Sequence, residues 1–167
     1  KNFFHLKIHS QYSICEGAIK LDDLKDYSKE QKIKAIGLSD TSNLCGALEF
    51  AEKMSKIGTQ PIIGTQINFK YGDTTGLLPL YALNEDGYKR IIELSSLSYL
   101  TNDELSEPHL DFEELLNKSN GVSLFSGSIF GLFGQLFDKG KSNDIFELYS
   151  KLKSEFGDRF YIEIQRH

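Results

Sequence analysis

Basic excess is missing from this sequence. Of 167 residues, 19 are Lys or Arg and 24 are Asp or Glu, a formal net charge of −5. The chain therefore lacks the footprint of an autonomous nucleic-acid binder, and any DNA contact must be local or lie elsewhere. Cysteine is also scarce. Cys15 and Cys45 are too few for a disulfide framework and lack CxxC spacing or a second pair for structural zinc, which points to a reducing, cytoplasmic setting. With three prolines and no repeat or low-complexity segment, the chain is not fibrous or disordered. No apolar run approaches the roughly 18 residues needed to cross a bilayer, and the N-terminus lacks the basic-then-apolar layout of a signal peptide. There is no GxxxxGK[ST] loop either. Gly127, Gly131 and Gly134 in SGSIFGLFG are separated by apolar residues, so the stretch reads as a tight strand-to-helix turn packed into the core.

What is present is a globular composition, 40% hydrophobic and 26% charged, of a length that suits one domain, 1–167, or a piece of one. Short apolar runs alternate with amphipathic stretches: FFHLKIHS, LDDLKDYSKEQ, KAIGLSD, LCGALEFAEKMSKIG and QPIIGTQINF. LLPLYAL, VSLFS and RFYIEIQ continue the strands. YKRIIELSSLSYL and DIFELYSKLKSEFG continue the helices, with Gly157 suited to the end of the second. Strands alternating with helix-period segments predict an α/β fold with parallel pairing. TNDELSEP reads as a surface loop, and a stop at His167 directly after an apolar strand suggests truncation.

In α/β folds sites are built at strand C-terminal ends. Those ends supply Lys7, His9 and Glu16, then Asp40 and Thr41, then Gln66, Ser128 and His167. His9, Glu16, Asp40 and His167 are N/O donors of the kind that bind zinc, manganese or iron. The plainer alternative is that His9 bonds locally at a strand end and that Asp40 with Asn43 starts a helix. His5 and Lys7 on one strand face suit a solvated edge. No Ser-His-Asp or Cys-His set is supported, and Cys15 has no neighbouring cation to activate it.

HLKIHSQYSICEGAIKLDDL, AIGLSDTSNLCGALEF, PIIGTQ, ALNEDGYKRIIELSSLSYL and YIEIQRH, in that order, resemble the N-terminal PHP (polymerase and histidinol phosphatase) domain of bacterial replicative DNA polymerase III alpha subunits. The resemblance implies a distorted (β/α)7 barrel, incomplete at the C-terminus here, with a further strand and an Asp-x-His motif expected downstream. It also implies altered ligands. The family's His-x-His falls on Lys7 and His9, and its Asp-His-Gly on Asp40, Thr41 and Ser42. Its Glu after PIIG falls on Gln66, its SGC cysteine on Ser128, and a later histidine on His167; Glu16 is kept in kind. A lysine ammonium inside a ligand shell repels cations, so no metal or other cofactor is expected here and no residue is assigned to catalysis. The Lys7 amine is expected to stand where metal charge was lost and to pair with Glu16 or Asp40.

For a whole protein the resemblance implies a DNA-directed DNA polymerase, a nucleotidyltransferase using Mg2+ in domains downstream. Its implied partners are a proofreading exonuclease subunit, sliding clamp, clamp loader and DNA, with no membrane contact. This domain would be a catalytically inactive scaffold. The alternatives are a weak metal-dependent phosphoesterase (3′-5′ exonuclease or pyrophosphatase) on His9, Glu16, Asp40 and His167, and a free-standing small-molecule phosphatase.

Overall fold

The computed structural model describes residues 3–101 and 106–164, and the chain forms two compact units, 1–66 and 67–167. In the first, an irregular segment leads to helix α1 (Leu21–Glu30), strand β1 (Ala35–Thr41), helix α2 (Ala47–Lys56) and the start of strand β2 (Gln60–Tyr71). α1 has acidic Asp22 and Asp23 in its first turn and Lys29 in its last, matching the helix dipole. α2 turns Ala47, Phe50 and Met54 inward at helical spacing. β1 is buried through its first six residues, which is why AIGLSD carries no polar alternation: a parallel strand is covered on both faces. β1 and β2 pair in parallel, with Asp40 opposite Thr65 and Thr41 opposite Gln66. Leu21, Leu24, Ile36, Leu38, Phe50 and Met54 form the core of this unit.

FFHLKIHS does not form the regular strand its apolar residues predict. Gly37 donates its N–H to the His5 carbonyl (2.7 Å), whereas Ser39, two residues on, donates to Ile8, three residues on (2.9 Å). One extra residue is therefore absorbed between His5 and Ile8, a bulge that breaks the alternation placing His5, Lys7 and His9 on one face. A side chain at Gly37 would collide with the Leu6 backbone, so the close approach requires glycine there.

In the second unit β2 turns through Gly72 (φ 62°) and Asp73 into β3 (Thr74–Ala82). Helix α3 (Glu85–Leu100) follows, its N-cap Asn84 accepting from the Gly87 N–H at 2.9 Å. Then come β4 (Leu110–Asp111), α4 (Phe112–Asn117), β5 (Val122–Phe125), α5 (Leu132–Asp138), α6 (Ser142–Phe156) and β6 (Phe160–Tyr161). Gly157 ends α6 at φ 54°. β2–β4 and β5–β6 are parallel, but β3 runs antiparallel to β5, so the sheet is mixed where uniformly parallel pairing was expected. The hairpin explains it: a two-residue turn can only reverse the chain. The fold class is mixed α/β. The strand path β1-β2-β3-β5-β6, with β4 on β2, does not close on itself among the described residues. SGSIFGLFG is a turn as expected, with Gly127 at φ 77°, yet only part of it packs inward. Leu132 and Leu136 are buried, whereas Ile129, Phe130 and Phe137 are exposed.

Candidate functional site

The loop 10–17 is folded onto the C-terminal end of β1 by its serines. Asp40 is 1% exposed. Ser10 donates its backbone N–H to Asp40 Oδ1 (2.6 Å) and its hydroxyl to Oδ2 (2.7 Å), so the buried carboxylate is held by charge-assisted bonds. The Asp40 carbonyl in turn accepts from Thr65 Oγ1 at 2.7 Å. Asp40 does not start α2 with Asn43, as the plainer alternative had it. The N-cap is Gly46, and Asn43 Oδ1 accepts from the Cys45 N–H (3.0 Å) in the loop before it. Gly46 makes room for the Tyr12 ring, to which a Cβ there would stand 2.7 Å away. Tyr12 donates to Glu49 on α2 at 2.8 Å, and that bond to a carboxylate raises the tyrosine above its ordinary pKa.

Glu16 is the hub of a second set. Its Oε2 accepts from Thr41 Oγ1 (2.5 Å) and Ser13 Oγ (3.3 Å), with His9 Nδ1 at 3.7 Å. Ser13 Oγ accepts from the Thr41 N–H (2.8 Å) and lies 3.4 Å from His9 Nδ1. Gln66 Nε2 donates to Thr41 Oγ1 at 3.1 Å, and the Gln66 carbonyl accepts from the Ser42 N–H at 2.8 Å. The structure thus joins His9, Glu16, Thr41 and Gln66 where the end of β1 meets the middle of β2, and sets Asp40 apart on Ser10. Lys7 is half-buried on the neighbouring segment, and pairing it with Asp40 would compete with two Ser10 donors. Ser128 belongs to the second unit, where its hydroxyl accepts from the Phe130 N–H (3.2 Å); His167 lies outside the described residues. Sequence reasoning missed Ser10 and Ser13. Their signal was the spacing in HSQYS, which puts two hydroxyls on the turn beside His9.

The family model described as the PHP domain matches residues 5–167. The chain belongs to the PHP family. It is 40% identical, over its whole length, to "DNA polymerase III subunit alpha" of Caulobacter vibrioides, covering 15% of that protein. Over 99% of its length it is 37% identical to the Rickettsia felis protein of the same name and 35% identical to that of Borreliella burgdorferi, covering 14% and 15% of them. The chain therefore spans about 15% of the length of these relatives. A solved amidohydrolase from Chromobacterium violaceum superposes with a TM-score of 0.44 at 14% identity, over 90% of this chain and 54% of that one.

This PHP domain's described donors do not fit a metal centre. No group of three or more His, Cys, Asp or Glu side chains among the described residues is placed to hold an ion. His9 and Glu16 converge, but Glu16 already faces three polar groups. Asp40 is engaged by Ser10, and Thr41 and Gln66 offer neutral oxygens that bind a divalent cation weakly. The arrangement fixes a loop against the end of β1 and the middle of β2.

Proposed function

We propose that this PHP domain is a non-catalytic part of a replicative DNA polymerase of the DNA polymerase III alpha type. Identity of 35–40% across nearly the whole chain to proteins of that name supports the assignment. The whole polypeptide would be a cytoplasmic DNA-directed DNA polymerase, with Mg2+ chemistry in other domains. It would meet DNA, sliding clamp and clamp loader through them. Residues 1–167 would serve as a single scaffold unit that supports the polymerase core and docks the proofreading exonuclease subunit.

One observation carries the inactive reading: Glu16, the carboxylate kept in kind, has the Thr41 and Ser13 hydroxyls and His9 around its Oε2, and no group of three His, Cys, Asp or Glu side chains forms there among the described residues. A divalent cation needs anionic company among its ligands, and Glu16 has hydroxyl neighbours instead. The test is metal analysis of the purified full-length protein, with 3′-5′ hydrolysis assayed after the polymerase carboxylates are removed. Zinc, manganese and iron should all be far below one per chain. Stoichiometric metal that disappears in His9→Ala and Glu16→Ala would overturn the proposal.

A further inference from the structure

In the second unit, the turn SGSIFGLFG and helix α5 present apolar side chains outward on a backbone that is pinned from beneath. A Cβ at Gly131 would stand 2.8 Å from the Leu77 carbonyl oxygen of β3, and one at Gly134 would collide with the Ile129 carbonyl, so both close approaches require glycine. Gly131 donates its N–H to the Ser128 carbonyl (2.9 Å), and Phe130 donates its own to the Ser128 hydroxyl (3.2 Å). With the chain held inward at its glycines, Ile129 and Phe130 project outward and are 65% and 73% exposed.

Helix α5 is apolar on two faces. Leu132 and Leu136 fill the core, whereas Phe133 lies half-buried beside Phe160 (ring centroids 6.3 Å apart) and Phe137 is 73% exposed. A helix that is apolar all round is ordinarily buried all round. Between the turn and α5 runs an open groove of about 540 Å3, lined by Ile129, Phe130, Phe133, Phe137 and, from α6, Ile145. A contiguous apolar patch on a fixed backbone marks an interaction surface, because a preorganised surface loses little freedom when it is covered.

Charge identifies the occupant. The charged groups lining the groove are Asp138 and Glu163, and among the described residues no Lys or Arg lines it. Asp138 forms no ion pair among the described residues; its neighbour Lys139 is turned to Thr74 Oγ1 (3.1 Å) and the Asp73 carbonyl (3.2 Å), and Lys141 to the Asp73 carboxylate. Nucleic acid and anionic lipid surfaces seek basic patches, so both are of the wrong sign here. A second copy docked about a two-fold axis would bring the same two carboxylates from both sides into one interface, where like charges oppose association. A segment of another protein with apolar anchors and flanking Lys or Arg suits both the groove and its rim.

We infer that the groove docks such a segment, its apolar side chains against Ile129, Phe130 and Phe137 and its cations against Asp138 and Glu163. The probe is a fluorescein-labelled amphipathic peptide with Leu and Phe on one helical face and Lys on the other, titrated with the full-length protein and followed by fluorescence anisotropy; a matched peptide has Glu for every Lys. The lysine peptide should bind at least about tenfold more tightly than the glutamate peptide. Phe130→Ser and Phe137→Ser should each weaken it about tenfold or more, the loss typical of an interface anchor. Both remove exposed rings, so a thermal scan should show no lower Tm than the parent's. Asp138→Asn combined with Glu163→Gln should weaken binding about threefold and flatten its salt dependence. No binding of the lysine peptide, equal binding of the two peptides, or binding that both serine variants leave intact overturns the site, the last being general attraction to an acidic chain. Oxidative footprinting of the peptide-free protein tests the other occupants, and Phe130 and Phe137 should both be labelled. Their protection at every protein concentration would show the rest of the polypeptide in the groove, and protection that rises with concentration a second copy; either result overturns the proposal.

Discussion

Ser10→Ala is the most direct probe of how the loop is attached to β1. The substitution removes the 2.7 Å hydroxyl bond to Asp40 and leaves the 2.6 Å bond from the backbone N–H. It also strips the Tyr12 N–H of its acceptor at 3.2 Å. One lost bond to a buried carboxylate costs about 1.5–3 kcal/mol. For a domain of this size that lowers Tm by roughly 3–12 °C. Asp40→Ala should cost at least as much, because it strands both Ser10 donors. Asp40→Asn should cost less, because the Ser10 hydroxyl is able to rotate and accept from the new amide. Urea unfolding of the two alanine variants and the double variant completes the cycle. If Ser10 and Asp40 act on each other, the coupling energy is about 1 kcal/mol or more, and Ser10→Ala costs little once Asp40 is gone. Additive effects, or Ser10→Ala within about 0.5 kcal/mol of the parent, would refute the assignment of Asp40 to structure.

Gly37→Ala places a Cβ against the Leu6 backbone, and thermal unfolding should register a loss of about 1–3 kcal/mol from overpacking. Thr41→Val disconnects Gln66 from Glu16 and should cost about 1 kcal/mol in urea unfolding. Because Glu16 is part-exposed and water replaces the lost donor, a cost above about 3 kcal/mol would contradict the hub geometry. Asp22 is held below its usual 3.8 by the hydrogen bond from Lys53, so its contribution is present above that value and is lost as pH falls through the lowered one. Lys53 is raised above its usual 10.5 by Asp22, so its share is present below that value and disappears as pH rises through the raised one. Stability measured against pH should therefore show less acid dependence in Asp22→Asn; an unchanged acid limb would dismiss the pair.

The strand and helix rhythm of the chain was legible wherever burial dictates a period. Helix α3 and the long α6 with its terminal Gly157 follow their apolar spacing, and β1 follows its unbroken apolar run. The first segment was not legible, because its bulge depends on the Leu6 backbone meeting Gly37, a contact between residues about thirty apart that local pattern does not encode. The direction of β3 was readable in principle from YGDT, whose two-residue turn forces a hairpin. At the site, residue types identified the positions but not their assignments. Asp40 and Glu16 look alike as carboxylates in the sequence, and only the serines on the returning loop separate a buried anchor from a part-exposed hub.

The bond from Ser10 to Asp40 joins residues thirty apart in sequence, and that sets an order of events. The first loop leaves the ribosome before β1 has been made, so its acceptor does not yet exist. The earliest residues synthesised in this unit therefore settle late, after β1 has collapsed onto α1 and α2, and loop closure is charged against an already formed core. A substitution at Ser10 should accordingly speed unfolding and leave the refolding rate nearly unchanged.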